Sequence, residues 1–118
     1  MATRQWTRTD PKYGVITHTC VMAAGDSSAD LQIPDYSDKT IHVFASSWGD
    51  STVSVLGLND TTATAQALHR VNDPSLTFSA LAAELMALLL ENPLVLRAST
   101  TGTTGTNLTV VVVSKRNL

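Results

Sequence analysis

Apolar and polar residues alternate along most of this chain with the period-two rhythm of strands. From Val15 to Met22, Ile16, Cys20 and Met22 share one face with His18, while Val15, Thr17, Thr19 and Val21 share the other. Lys39 to Ser46 repeats the pattern, with Ile41, Val43 and Ala45 on one face and His42 and Phe44 on the other. Ser51 to Leu58 follows, with Val53 and Val55 inward. Ser47, Trp48, Gly49 and Asp50 read as a turn between these two runs, because Gly and Asp tolerate positive φ, so 39–58 predicts a hairpin. After a turn at Asn59–Thr62, Ala63 to Val71 predicts a third strand, closed by Asn72, Asp73 and Pro74. Leu94 to Ala98 is a further strand, Ser99 to Thr106 a Thr/Gly loop, and Asn107 to Ser114 the last strand. In that last strand Leu108, Val110 and Val112 oppose Thr109, Val111 and Val113. Val110–Val113 is apolar on both faces, which predicts a place in the middle of a sheet or beneath a subunit contact. Left at an open edge it would invite aggregation. Ala23 to Ser37 reads as a loop with a short extended piece at Asp30–Ile33.

Two segments depart from the alternation. Ser79 to Glu91 is rich in helix formers; Leu81, Leu85, Leu88 and Leu89 make a helical stripe, Ser79 can cap the start, and Asn92–Pro93 stops the run. A short core-covering helix is the expectation there. Residues 1–14 show no apolar period and end at Pro11 and Gly14, so they predict an extended N-terminal arm ahead of a single domain over 15–118. Its Trp6 is either folded back on the domain or inserted into a partner, and Tyr13, Arg4, Arg8 and Lys12 are anchor-type residues beside it. The expected fold is mainly β: a β-sandwich, in its more specific form a jelly roll, with one short helix and an extended arm.

Composition adds a surface argument. Only 15% of the 118 residues are charged, against roughly 25% in a typical soluble domain, and 17 Thr with 11 Ser take their place. Threonine suits the pleated surface of a strand, and a surface so poor in charge suits a protein packed against neighbours. The net charge of −2 is unevenly spread. Residues 1–12 carry three cations against Asp10, residues 115–118 carry Lys115 and Arg116, and the body between is acidic. So few cations on an acidic body do not make a nucleic-acid footprint, and docking of the arm on an acidic protein surface is the plainer reading.

Chemistry is harder to find. Cys20 is the single cysteine, which leaves no intrachain disulfide or thiolate metal site and reads as a buried, inert thiol. His18, His42 and His69 lack metal-ligand spacing. Gly102 and Gly105 have no lysine or helix after them to make a phosphate loop, and no nucleophile elbow appears. Glu84 and Glu91 read as a solvated helix side, and Asp35 and Asp38 lack calcium-loop spacing. The expectation is no enzyme, no cofactor and no metal. No run approaches the roughly 18 apolar residues that span a membrane, and Ala2 to Asp10 lacks the apolar core of a signal peptide, which predicts synthesis in a reducing cytoplasm without a membrane partner. Trp48, beside Gly49 in a turn, is the one candidate platform for a sugar ring, against the plainer reading of a tryptophan packed on the sandwich rim.

Several stretches carry a family resemblance: Lys-Thr-Ile-His-Val-Phe from Lys39, Ser-Thr-Val-Ser-Val-Leu-Gly-Leu-Asn-Asp from Ser51, Leu-Thr-Phe-Ser-Ala after the Asn-Asp-Pro turn, and Glu-Asn-Pro-Leu-Val-Leu-Arg-Ala from Glu91. With the Thr/Gly loop and the closing valine strand, this pattern resembles small virion structural proteins of tailed bacteriophages, most similar to capsid cement or decoration proteins. The arm 1–14 falls outside it. The resemblance implies a structural protein made in the host cytoplasm and carried on the capsid surface of the virion. There it would bind the major capsid protein lattice and stabilise the head as a homodimer, with a trimer as the alternative. The basic arm and the strand 108–113 would supply the contacts. A tail or neck component, or a fibre-tip module that binds host glycan, is the alternative function.

Overall fold

The computed structural model describes residues 2–12, 14–33, 36, 38–59, 65–68, 77–79, 86–89 and 93–115, the side chains of Lys12 and Leu88 excepted. Eleven strands are seen among them: β1 (Thr3–Arg4), β2 (Thr7–Lys12), β3 (Val15–Met22), β4 (Ser27–Ser28), β5 (Asp38–Phe44), β6 (Thr52–Leu58), β7 (Gln66–Ala67), β8 (Thr77–Phe78), β9 (Met86–Leu88), β10 (Val95–Thr101) and β11 (Leu108–Lys115). They form two sheets. One has the order β1-β4-β10-β6-β7, with β8 also paired to β6; the other has the order β2-β3-β11-β5-β9. The chain is a β-sandwich, as its alternation predicts.

From β3 onward the pairing is nested. β3 pairs with β11, β4 with β10, β5 with β9 and β6 with β7, all antiparallel. The core lies between the sheets, where the inward residues of both interlock: Ile16, Cys20 and Met22 from β3, Ile41 and Val43 from β5, Val53 and Val55 from β6, Leu96 and Ala98 from β10, and Leu108, Val110 and Val112 from β11. Removing each such aliphatic side chain from water contributes roughly 1.5–3 kcal/mol. β11 is central in the five-stranded sheet, between β3 and β5, which accounts for its two-sided apolar run.

Five expectations need correction. The segment 39–58 is not a hairpin: β5 and β6 lie in different sheets, and the turn at Trp48–Asp50 crosses between them. An alternating strand pair joined by a turn reads the same whether the second strand pairs with the first or packs across the core from it. In the expected helix 79–91, Met86–Leu88 is strand, paired to Thr40–His42 of β5, and Ser79 is not helical; residues 80–85 and 90–91 lie outside the described residues. The Thr/Gly loop starts later than expected, because β10 continues to Thr101 in register with Thr52 of β6. Of the third strand expected at 63–71, Gln66–Ala67 is strand while Ala65 and Leu68 are not, and the rest lies outside the described residues. Within the expected loop 23–37, β4 is an additional strand, and Leu31 bridges to Leu96 in the stretch read as extended.

The N-terminal arm is extended, and it is laid along both sheets. β1 pairs with β4 in parallel and β2 with β3 antiparallel, so residues 3–12 supply an edge strand to each sheet. Trp6 sits at the crossing between them. It packs partly buried against the core and donates its indole N–H to the Ala29 carbonyl at 2.8 Å.

Candidate interaction surfaces

Alternation that sends one set of side chains into the core sends the other set outward, and cross-strand register decides which outward residues meet. On the five-stranded sheet one lateral row reads Thr7, Thr19, Val111, His42, Met86, and the next reads Val21, Thr109, Phe44. Val21, Phe44 and Met86 are exposed large apolar side chains, at 50%, 44% and 55% of their full accessibility. His42 and Phe44 are two apart on β5 and their rings lie 5.3 Å apart at a tilt of 54°. Along the middle strand Thr109, Val111 and Val113 stand lower, buried or half-buried. The charges of β5 and β11 on this face, Lys115 and Asp38, sit in register at one end.

The six-stranded sheet turns a different chemistry outward. Thr3, Ser27, Ser99, Ser54 and Thr77 stand side by side on β1, β4, β10, β6 and β8, a lateral row of five hydroxyls. Thr52 and Thr101 form a second pair, their hydroxyls 2.5 Å apart. Where the row reaches β4 and β1, a shallow open depression of about 480 Å³ is lined by Thr3, Ser27, Ser28, Ala29, Asp30 and Arg97. Arg97 donates to Asp30 at 2.8 Å on its rim.

One end of the sandwich is a set of tied loops. Asp50 accepts the backbone N–H groups of Thr103 and Thr104, both at 2.8 Å, together with the hydroxyls of the same residues. Those donors hold its carboxyl well below the usual carboxylate range. Gly49, at φ 53°, lies so close to Thr104 that a side chain there has no room. Beside it Asp26 accepts from the Arg4 guanidinium at 2.7 Å and from the backbone N–H groups of Ala2 and Ala23, each at 3.0 Å. The Arg4 bond, then that of Ala23, lowers its carboxyl to about 2.

The residues expected to bind a partner are thereby dispersed. Arg4 is bound to Asp26, Trp6 to Ala29, and Arg8 donates to Asp10 at 2.9 Å while both remain exposed. The Lys12 side chain and all of Tyr13 lie outside the described residues. Trp48 packs half-buried against the core at the loop end, as a rim tryptophan does. The arm binds its own domain because an unpaired sheet edge and an unpaired guanidinium each find a partner a few ångströms away.

Reactive groups are mostly enclosed. Burial raises the Cys20 thiol to about 11, and its exposure is 0%. Lys39 is buried near the start of β5; its Nζ donates to the Tyr36 carbonyl at 2.5 Å, and burial lowers its pKa. Ser114, opposite it on β11, is completely buried, and its Oγ and the His18 Nδ1 have no hydrogen-bond partner among the described residues. Among the described residues no three His, Cys, Asp or Glu side chains come together as a metal site. The outward apolar residues were visible in part, since Val21 and Phe44 occupy positions that share a face with Thr17, Thr19 and His42. Met86 was hidden by the helix reading, and the hydroxyl row by register. Searches against protein-family models and curated proteins find no match for this chain.

Proposed function

We propose that this protein is a structural virion component, a capsid cement or decoration protein that binds the lattice of major capsid protein on a phage head. The observation that carries the reading is the pair of broad outer sheet faces, one lined by hydroxyls and one that sets exposed Val21, Phe44 and Met86 among threonines, on a domain whose thiol and buried serine are closed to solvent. Such faces are useful for laying one rigid body against another. The nested pairing is that of a jelly-roll sandwich, an architecture used by viral capsid and lectin domains alike, so it supports the reading only together with the resemblance of the strand sequences. The hydroxyl face, with Arg97 and Asp30 at its rim, is the side we assign to the capsid, and exposed Arg8, on the β2 edge of the other sheet, is a second contact we assign to it. Each contact there is weak, and repetition over a shell multiplies it. The glycan-binding alternative would rest on Trp48, which is half-buried against the core at the loop end.

Imaging of phage particles that carry this protein tests the reading. Density over the icosahedral shell is the expected result; density confined to the tail, or none on the particle, overturns it. Within a shell-bound protein, Ser99→Lys is expected to lower occupancy, because it sets a long charged side chain in the middle of the hydroxyl row.

A further inference from the structure

We infer that protonation of His18 frees β2 from β3, so that in mild acid the edge strand Thr7–Lys12 lifts away while the rest of the sandwich stays folded. His18 is turned into the core from β3, between Arg8 of β2 and Val112 of β11 in the register of the sheet, and is only 6% exposed. Its Nδ1 has no hydrogen-bond partner among the described residues. An imidazolium formed there is a buried charge without an acceptor. The charges around it do not make up that loss. Arg8 stands beside it and repels a second cation, while the nearby carboxylate, Asp10, is already taken by Arg8 at 2.9 Å. Tyr36 lies close to Arg8, and Lys39, turned inward on β5, adds a buried cation to the same sheet. β11 brings only uncharged Val112 and Ser114 to this end. From the six-stranded sheet and its loops the buried residues are uncharged apart from Asp26, which lies with Arg4 at Cys20, further along β3.

Water can reach that charge by displacing either strand beside β3, and the two differ in cost. β11 is central, and its inward residues Leu108, Val110 and Val112 are buried in the core. β2 pairs only with β3 among the described residues, none of residues 7–11 is buried, and its register slips between Thr9 and Lys12. Opening therefore falls on β2, which gives up backbone bonds and little burial. Both ends of the strand stay tied. On one side Trp6 is bonded to Ala29 and Arg4 to Asp26, whose carboxyl, lowered to about 2, keeps its charge in mild acid. On the other Gly14, at φ 77°, turns the chain into β3. The lifted strand bares the edge of β3 around residues 17–19, a place where another strand can add. The latch works in the free chain, with no capsid present.

Hydrogen exchange of the full chain, read by mass spectrometry and corrected for the intrinsic rate, tests this between about pH 7.5 and about pH 5. Protection of residues 7–12 should lie about tenfold or more below that of β6 and β10, because it is lost without global unfolding. It should fall a further threefold or more, roughly, as pH drops through the ordinary histidine value of about 6.5, which the opened strand gives back to His18. His18→Gln removes the titrating group and should make the protection of residues 7–12 independent of pH, whatever its starting level. Arg8→Gln, at an exposed position, takes away the neighbouring cation and releases Asp10, so it should blunt the fall. His42→Gln, on the outward face of β5, should behave as the parent does. Residues 7–12 that exchange no faster than β6 and β10, protection there that does not vary with pH, or a pH response that persists in His18→Gln overturns the inference.

Discussion

Asp26 ties three points of the chain together, and its worth follows from what is stranded without it. Its carboxylate takes the N–H groups of Ala2 and Ala23 and the Arg4 guanidinium, while its own residue is only 4% exposed. Asp26→Ala leaves those donors without their acceptor, and unmade buried hydrogen bonds cost about 1–3 kcal/mol. We expect a loss of about 2–3 kcal/mol in urea unfolding. Because its pKa is depressed to about 2 in the folded protein, this contribution is fully present above the ordinary carboxylate value of about 3.9 and is lost as pH falls towards 2. His18 acts at milder pH. Burial, then the nearby Arg8, lowers its pKa, with Asp10 opposing. Below about 6.5 the unfolded chain therefore takes up a proton that the folded imidazole resists, and stability falls with pH. His18→Gln should flatten the stability curve between about pH 7 and about pH 5. An unchanged slope in urea midpoints would show that His18 does not set it.

At the scale of elements, what was readable was side-chain alternation, and what was hidden was pairing. The five long strands stand close to where alternation puts them, because a period of two is local to each run. The Leu/Ala-rich stretch misled because helix propensity is weak against a ladder: Ala87 pairs with Ile41 and is buried beside the core, so Met86–Leu88 extends the sheet. The hydroxyl row is invisible in sequence for the same reason. Its five residues come from Thr3, Ser27, Ser54, Thr77 and Ser99, and only register places them abreast. Gly57 shows the packing on the β6 ladder. A methyl group there would stand 2.8 Å from both Leu68 Cδ2 and Pro93 Cγ, too close for either. Gly57→Ala should cost about 1–3 kcal/mol through overpacking. A midpoint equal to the parent's would mean that Leu68 and Pro93 yield freely.

For the whole molecule the N-terminal segment is the test case, because it belongs to both sheets at once. An arm that serves only a partner can be removed at no cost to the fold. Residues 2–12 cannot be, because they supply edge strand β1 to one sheet and β2 to the other, the Arg4 bond to Asp26 and the Trp6 cover on the core. Taking them away bares the edges of β3 and β4 together and strands Asp26, against a total stability on the order of 5–15 kcal/mol for a domain of this kind. Deletion of 2–12 should therefore abolish cooperative unfolding or leave aggregated protein, and any loss of capsid occupancy in that variant reports on folding. Arg8→Gln separates the two roles. Arg8 and Asp10 are 55% and 59% exposed, a pair that water screens on every side, so thermal melting should not move. Under the proposed capsid role, occupancy on the capsid should fall, since Arg8 is the exposed described arm cation whose surface carboxylate partner can be exchanged for another's. Unaltered occupancy with unaltered melting would leave the segment a purely structural part of the sandwich and return the contact to the hydroxyl face alone.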